Sequence, residues 1–129
     1  MTHVADQIAV ARSRIDNLSP QDAAAEIAGG GAVVVDLREP EERAATGEIP
    51  GAIAAARGML EFYADANTPY HREEFDPSRR MILYCASGGR SALAGATLRD
   101  LGFADVAHID GGIKAWEAAG LEVAPVKAG

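Results

Sequence analysis

Two five-residue runs, Ala32-Val33-Val34-Val35-Asp36 and Met81-Ile82-Leu83-Tyr84-Cys85, constrain the fold of this chain more than anything else in it. A strand with one face in water alternates apolar and polar residues, whereas the first run stays apolar and largely β-branched up to its last position. Such a strand has both faces covered, as in a parallel sheet between helices. Helical signals stand between the strands. Ser19-Pro20-Gln21-Asp22 reads as an N-cap, a proline at the first helical position and an acid at N3, and Gly29-Gly30-Gly31 ends the helix it opens. Ala94, Leu98 and Leu101 share a face of a helix expected from about Ser91 to Leu101, with Gly102 as its stop. Val-Ala-His-Ile (106–109) is a further strand, Gly111-Gly112 a turn, and 113–119 a last helix anchored by Trp116.

Other segments are weaker. Leu37 to Arg43 turns out of the first strand into a short helix stopped near Gly47, and Ile49-Pro50-Gly51 is a tight turn. Residues 52–56 form a weak strand, while Met59, Phe62 and Tyr63 fall at helical spacing and are read, with Leu60, as core, the rival reading being a wall at the mouth of a pocket at Cys85 that selects its substrate. The stretch from Tyr70 to Arg80 reads as a polar connection. Val4, Ile8, Ala11 and Ile15 repeat at spacings of an amphipathic helix, so 1–15 are expected to form a helical extension packed on a body of 16–129. At 129 residues the chain has the length of one domain. Strands alternating with helices in that length predict an α/β fold with a mainly parallel sheet.

Composition excludes several classes of function. No apolar run approaches the roughly 20 residues of a membrane span, and the first residues lack the basic start and apolar stretch of a signal peptide, so a cytoplasmic protein is expected. A net charge of −7 disfavours binding to nucleic acid, which requires Lys and Arg to neutralise phosphates. The single cysteine rules out an internal disulfide, leaving a free thiol with no resolving partner in the chain.

That thiol is the chemical focus. Cys85 ends a strand and enters Ala86-Ser87-Gly88-Gly89-Arg90-Ser91 just ahead of a helix. A helix N-terminus and a nearby cation can lower a free cysteine from a pKa of about 8.5 to roughly 3.5–7.5, and the thiolate is the nucleophile. In parallel sheets the ligand crevice lies outside the carboxyl ends of the strands. Asp36, Cys85 and Asp110 all fall at or just past strand ends and are expected to share that edge.

The ordered set Asp36-Leu37-Arg38-Glu39-Pro40-Glu41-Glu42, Gly47-Glu48-Ile49-Pro50-Gly51-Ala52, Cys85 to Ser91, and Asp110-Gly111-Gly112-Ile113 with Trp116 resembles the single-domain rhodanese sulfurtransferases, from about residue 16 to 120. Residues 56–62 with Pro69-Tyr70-His71 also look like the subgroup described as polysulfide-type. The resemblance implies a five-stranded, mainly parallel sheet flanked by helices, and no cofactor or metal. It implies sulfur transfer through a Cys85 persulfide from a small donor such as thiosulfate, a polysulfide or a protein persulfide, to a thiol or cyanide. The backbone amides of Ala86, Ser87, Gly88, Gly89, Arg90 and Ser91 would converge on the sulfur, with Gly88 and Gly89 permitting the curled backbone. Arg90 either brings charge to the rim or braces the loop. Asp36 and Arg38 would order loops behind the site. The family's usual histidine in the Gly-x-Ile-Pro-Gly-Ala turn is Glu48 here. Ser87 and Glu42 stand where two-domain thiosulfate enzymes carry basic residues, which favours a polysulfide or protein persulfide as donor.

Rival readings are a Cys-based phosphatase or an arsenate reductase, and a rhodanese-like carrier or partner-binding module without turnover. The phosphatase loop has five residues between cysteine and arginine, and this one has four. His108 is expected to be a satisfied core or surface histidine, His71 solvated and His3 terminal. No cluster has metal-ligand spacing.

Overall fold

The structure is a computed structural model that describes residues 3–126. Its five parallel strands are β1 (Asp16–Leu18), β2 (Ala32–Asp36), β3 (Ile53–Ala54), β4 (Arg80–Tyr84) and β5 (Val106–Ile109), in the order β1-β5-β4-β2-β3. Six α-helices accompany them among the described residues: α1 (Val4–Arg12), α2 (Pro20–Gly29), α3 (Pro40–Thr46), α4 (Leu60–Ala64), preceded by a 3-10 turn at Arg57–Met59, α5 (Gly89–Asp100) and α6 (Gly112–Ala118). The continuous apolar character of β2 and β4 has the expected cause, a layer of helices on each face. Val33, Val35, Met81 and Leu83 pack on one side with Ala94 and Leu98 of α5 and Leu60 of α4. Val34, Ile82 and Tyr84 pack on the other with Ala23 of α2 and Ile113 and Trp116 of α6.

Several boundaries differ from the sequence reading. Helix α5 begins at Gly89 rather than near Ser91, because glycine at Gly88 (φ 108°) completes the reversal one peptide after Ser87. Gly89 itself does not take positive φ; what it supplies is closeness, since a Cβ there would lie 3.4 Å from Ile8 of α1. The candidate strand 52–56 shrinks to two residues at the sheet edge. Strand β1 had no sequence signal: it is three residues long and exposed at Asp16 and Asn17.

Three residues assigned to apolar faces are exposed instead. Val4 is 62% exposed, and α1 stops at Arg12, leaving Ile15 beyond it to pack against Gly95 of α5. Leu101 lies past the end of α5. Phe62 is exposed and meets Tyr70 edge to face at 6.1 Å, so within 59–63 it is Leu60 that is buried and Tyr63 that packs on the core. The polar connection before β4 is anchored by Phe75, which is fully buried among the same cluster. Residues 1–2 and 127–129, the ends of the two expected segments, lie outside the described residues.

Candidate active site

Cys85 follows the central strand β4 directly and is 1% exposed. Its sulfur accepts a hydrogen bond from Gly88 N–H at 3.2 Å and lies 3.6 Å from Ser91 Oγ. Of the six amides expected to converge on it, Gly88's makes a hydrogen bond with the sulfur among the described residues.

The loop is shaped from outside by the start of α6. Ile113 N–H donates to the carbonyl of Cys85 at 2.9 Å, and Lys114 N–H to that of Ala86 at 3.1 Å. Because a trans peptide sets N–H and C=O on opposite sides, the amides of Ala86 and Ser87 face away from α6. Gly112 makes this approach possible: at φ 65° a Cβ would stand 2.4 Å from Ala86 O and 2.5 Å from Cys85 O.

Arg90 lies beside the thiol and is held by an acid of a neighbouring helix. It forms two 2.8 Å bonds with Glu42, joining α5 to α3 beside the thiol. Arg90 and then the Glu39 amide hold the Glu42 carboxyl down at about 2, and Glu42 in turn raises Arg90. A cleft of about 360 Å³ next to this pair is lined by Ala45, Glu42, Ala86, Ile113 and Lys114. A hollow of about 480 Å³ beneath Ala64, Phe75 and Leu101 contains no residue of the Cys85 loop.

Asp36 and Arg38 sit behind the site. Their buried pair (Nη2 to Oδ2 2.7 Å) is joined by Tyr84 O–H donating to Asp36 at 2.8 Å and by Arg43 at 3.2 Å. The Tyr84 phenolic oxygen also accepts Ile49 N–H, and Arg38 donates to Thr46 and the Gly47 carbonyl, so this knot ties β2, β4, α3 and the 47–51 turn together. Burial and then Asp36 push the Tyr84 phenol upward, which keeps it a donor. Removing one partner of such a buried pair costs about 3–5 kcal/mol. Asp110 occupies the same sheet edge but is exposed and pairs with Arg12 at 2.6 Å.

Two contacts of the site had no motif behind them. His108 is fully buried, with Nδ1 2.8 Å from Ser91 Oγ and Nε2 2.8 Å from Asn17 Oδ1. The parallel register carries the missing signal: Leu83 pairs with His108, so His108 faces the side of the sheet that Leu83 and Cys85 face. The other is the Glu42 pairing: Glu42 stood out in the sequence as an acid where two-domain thiosulfate enzymes are basic, but nothing there named Arg90 as its partner. Among the described residues no group of three or more His, Cys, Asp or Glu could hold a metal ion, and no helix is long and apolar enough to cross a membrane.

A lone cysteine in a tight loop between the central strand of a five-stranded parallel sheet and a helix N-terminus defines a class of thiol-centred α/β domains. Comparison with known proteins places this one: residues 19–119 match the rhodanese-like domain, and the chain belongs to the rhodanese-like family of sulfurtransferases. It is 34% identical to the thiosulfate sulfurtransferase GlpE of Ectopseudomonas mendocina, over 82% of this chain and 88% of that one. Among solved structures it is similar to a protein of unknown function and possible tyrosine phosphatase, RPA3614, from Rhodopseudomonas palustris (TM-score 0.91, 39% identity, 95% of each chain). It is also similar to a homodimeric polysulfide-sulfur transferase from Wolinella succinogenes (TM-score 0.71, 29% identity, 91% of this chain and 83% of that one).

Proposed function

We propose that this chain transfers a sulfane sulfur through a Cys85 persulfide, taking it from a polysulfide or protein persulfide in preference to thiosulfate. The Cys85 thiolate attacks the outer sulfur of the donor; the new S–S bond forms as the donor's own S–S bond breaks, and a thiolate leaves, or sulfite when the donor is thiosulfate. An acceptor thiolate or cyanide then attacks the outer sulfur of Cys85-S-S⁻ and returns the Cys85 thiolate. Gly88 N–H and the N-terminus of α5 offer the positive potential that a sulfur anion needs in place of a base.

The observation that carries the donor preference is the bidentate Arg90–Glu42 pair. Arg90 is the loop's formal positive charge, and its pairing leaves no loop guanidinium for the three sulfonate oxygens of thiosulfate, a head group that a polysulfide lacks. The same pair speaks against the phosphatase suggestion attached to the Rhodopseudomonas protein, since a phosphoryl group needs a free guanidinium facing it. The shorter spacing of four residues between Cys85 and Arg90 points the same way.

The test is intact-mass spectrometry after exposure to polysulfide and, separately, thiosulfate. A gain of about 32 Da, one sulfur atom, reversed by cyanide and absent in Cys85→Ser, is the expected result, with polysulfide the faster donor. No adduct from either donor, or aryl phosphate turnover lost in Cys85→Ser, would overturn the reading.

A further inference from the structure

The side chains of Cys85, Ser91, His108 and Asn17 form one buried line of hydrogen bonds running from the loop to the edge strand β1, and its direction can be assigned. Asn17 Nδ2 lies 2.9 Å from the carbonyl of Arg12 and 3.3 Å from that of Ile15. Both partners only accept, so the amide is oriented with Nδ2 toward them and Oδ1 toward His108. An amide oxygen cannot donate, so His108 Nε2 carries a hydrogen to Asn17 Oδ1 at 2.8 Å. Burial, helped by Arg12 and opposed by Asp110, keeps His108 in its neutral form. Nδ1 is therefore a bare acceptor, and the Ser91 hydroxyl at 2.8 Å donates to it. The other acceptor near Ser91, the Gly88 carbonyl at 3.3 Å, is already served by Ala92 N–H. With its one hydrogen committed, Ser91 turns a lone pair toward Cys85 Sγ 3.6 Å away.

We propose that Asn17 and His108 are positioning residues that act through Ser91: they point its lone pair at Cys85, so the hydroxyl accepts a hydrogen bond from the S–H group and withholds its own hydrogen from the thiolate. The inference rests on Cys85 being the reactive thiol proposed above. The Ser91 hydroxyl thus withholds a hydrogen bond from a Cys85 thiolate and offers one once it is released from His108. The remaining charges around the line are Arg90, tied to Glu42, near Cys85, and Arg12, tied to Asp110, near His108.

The experiment is the pH dependence of Cys85 alkylation by iodoacetamide, in which an S–C bond forms, iodide leaves and the thiol proton passes to buffer. Sulfur transfer plays no part in it, so its outcome is separable from that of the persulfide test. In Asn17→Ala, His108 is free to adopt the Nδ1–H tautomer, which donates to Ser91 and lets the hydroxyl donate to sulfur. Alkylation at neutral pH is expected to rise about threefold to tenfold, with the midpoint displaced to lower pH, the size of one net hydrogen bond. Because the effect passes through Ser91, it should vanish when Asn17→Ala is made in a Ser91→Ala background. Asn17 sits on an exposed edge strand, and thermal unfolding confirms that each variant is folded. An unchanged or raised midpoint in folded Asn17→Ala, or the same displacement with Ser91 absent, would overturn the proposal.

Discussion

Glu42 cancels Arg90, the one formal positive charge of the loop from Cys85 to Ser91. Replacing it by Gln keeps the size of the side chain and frees the guanidinium. Glu42→Gln is expected to raise kcat/KM for thiosulfate about threefold to tenfold relative to polysulfide, as fits one partly screened charge a few ångströms away. Steady-state rates with both donors check it, and an unchanged donor ratio would show that the pair is only a brace. The carboxyl is held at about 2 against an ordinary 4.5, so the pair's contribution is complete above about pH 4.5 and lost as pH falls through 2. At this scale the sequence was informative where a residue type is rare or strained: a single cysteine, and a glycine at Gly88. Pairings were not legible, because Glu42 and Arg90, or His108 and Ser91, meet only once the strands have been laid side by side. Glu42 lies 48 residues from Arg90, and Ser91 lies 17 from His108.

Helix α6 does more for Cys85 than its distance in sequence suggests. Its first amides take the Cys85 and Ala86 carbonyls, and Gly112 is the residue that allows the approach. Gly112→Ala would drive a methyl into backbone that cannot yield without moving the loop, at a cost of about 1–3 kcal/mol in unfolding free energy and with slower Cys85 alkylation. Denaturant titration and iodoacetamide kinetics measure the two effects; unaltered alkylation would show that the loop holds its shape without α6. Elements with long periodic or continuously apolar signals, β2, β4, β5, α2 and α5, could be read from the chain because burial on two faces or one stripe dictates composition. Strand β1 could not, and β3 was legible only as the weak and overlong candidate 52–56. At three and two residues they are defined by pairing with β5 and β2 rather than by any pattern of their own.

For the molecule as a whole, acid stability offers a specific signature. Burial holds His108 at about 4 against an ordinary 6.5, so the unfolded chain binds a proton that the folded one does not. Stability is expected to be full above pH 6.5, to decline as pH falls toward 4, and to lose that slope in His108→Gln. Thermal melts across this window check it, and an identical slope in the variant would assign the proton elsewhere. The architecture itself was legible from alternation of strands and helices, while the polar knot of Asp36, Arg38, Arg43 and Tyr84 was seen only in part, through its Asp-x-Arg segment. That knot and the Glu42 pair together leave the arginines nearest the thiol already matched to acids, in a chain of net charge −7. An anionic donor then meets Lys114 as the cation of the cleft outside an ion pair among the described residues, and is repelled at long range by the net charge of the rest of the chain. Its capture should quicken, not slow, as ionic strength rises, with kcat/KM for polysulfide increasing between 10 and 200 mM salt, the reverse of an enzyme that steers its substrate.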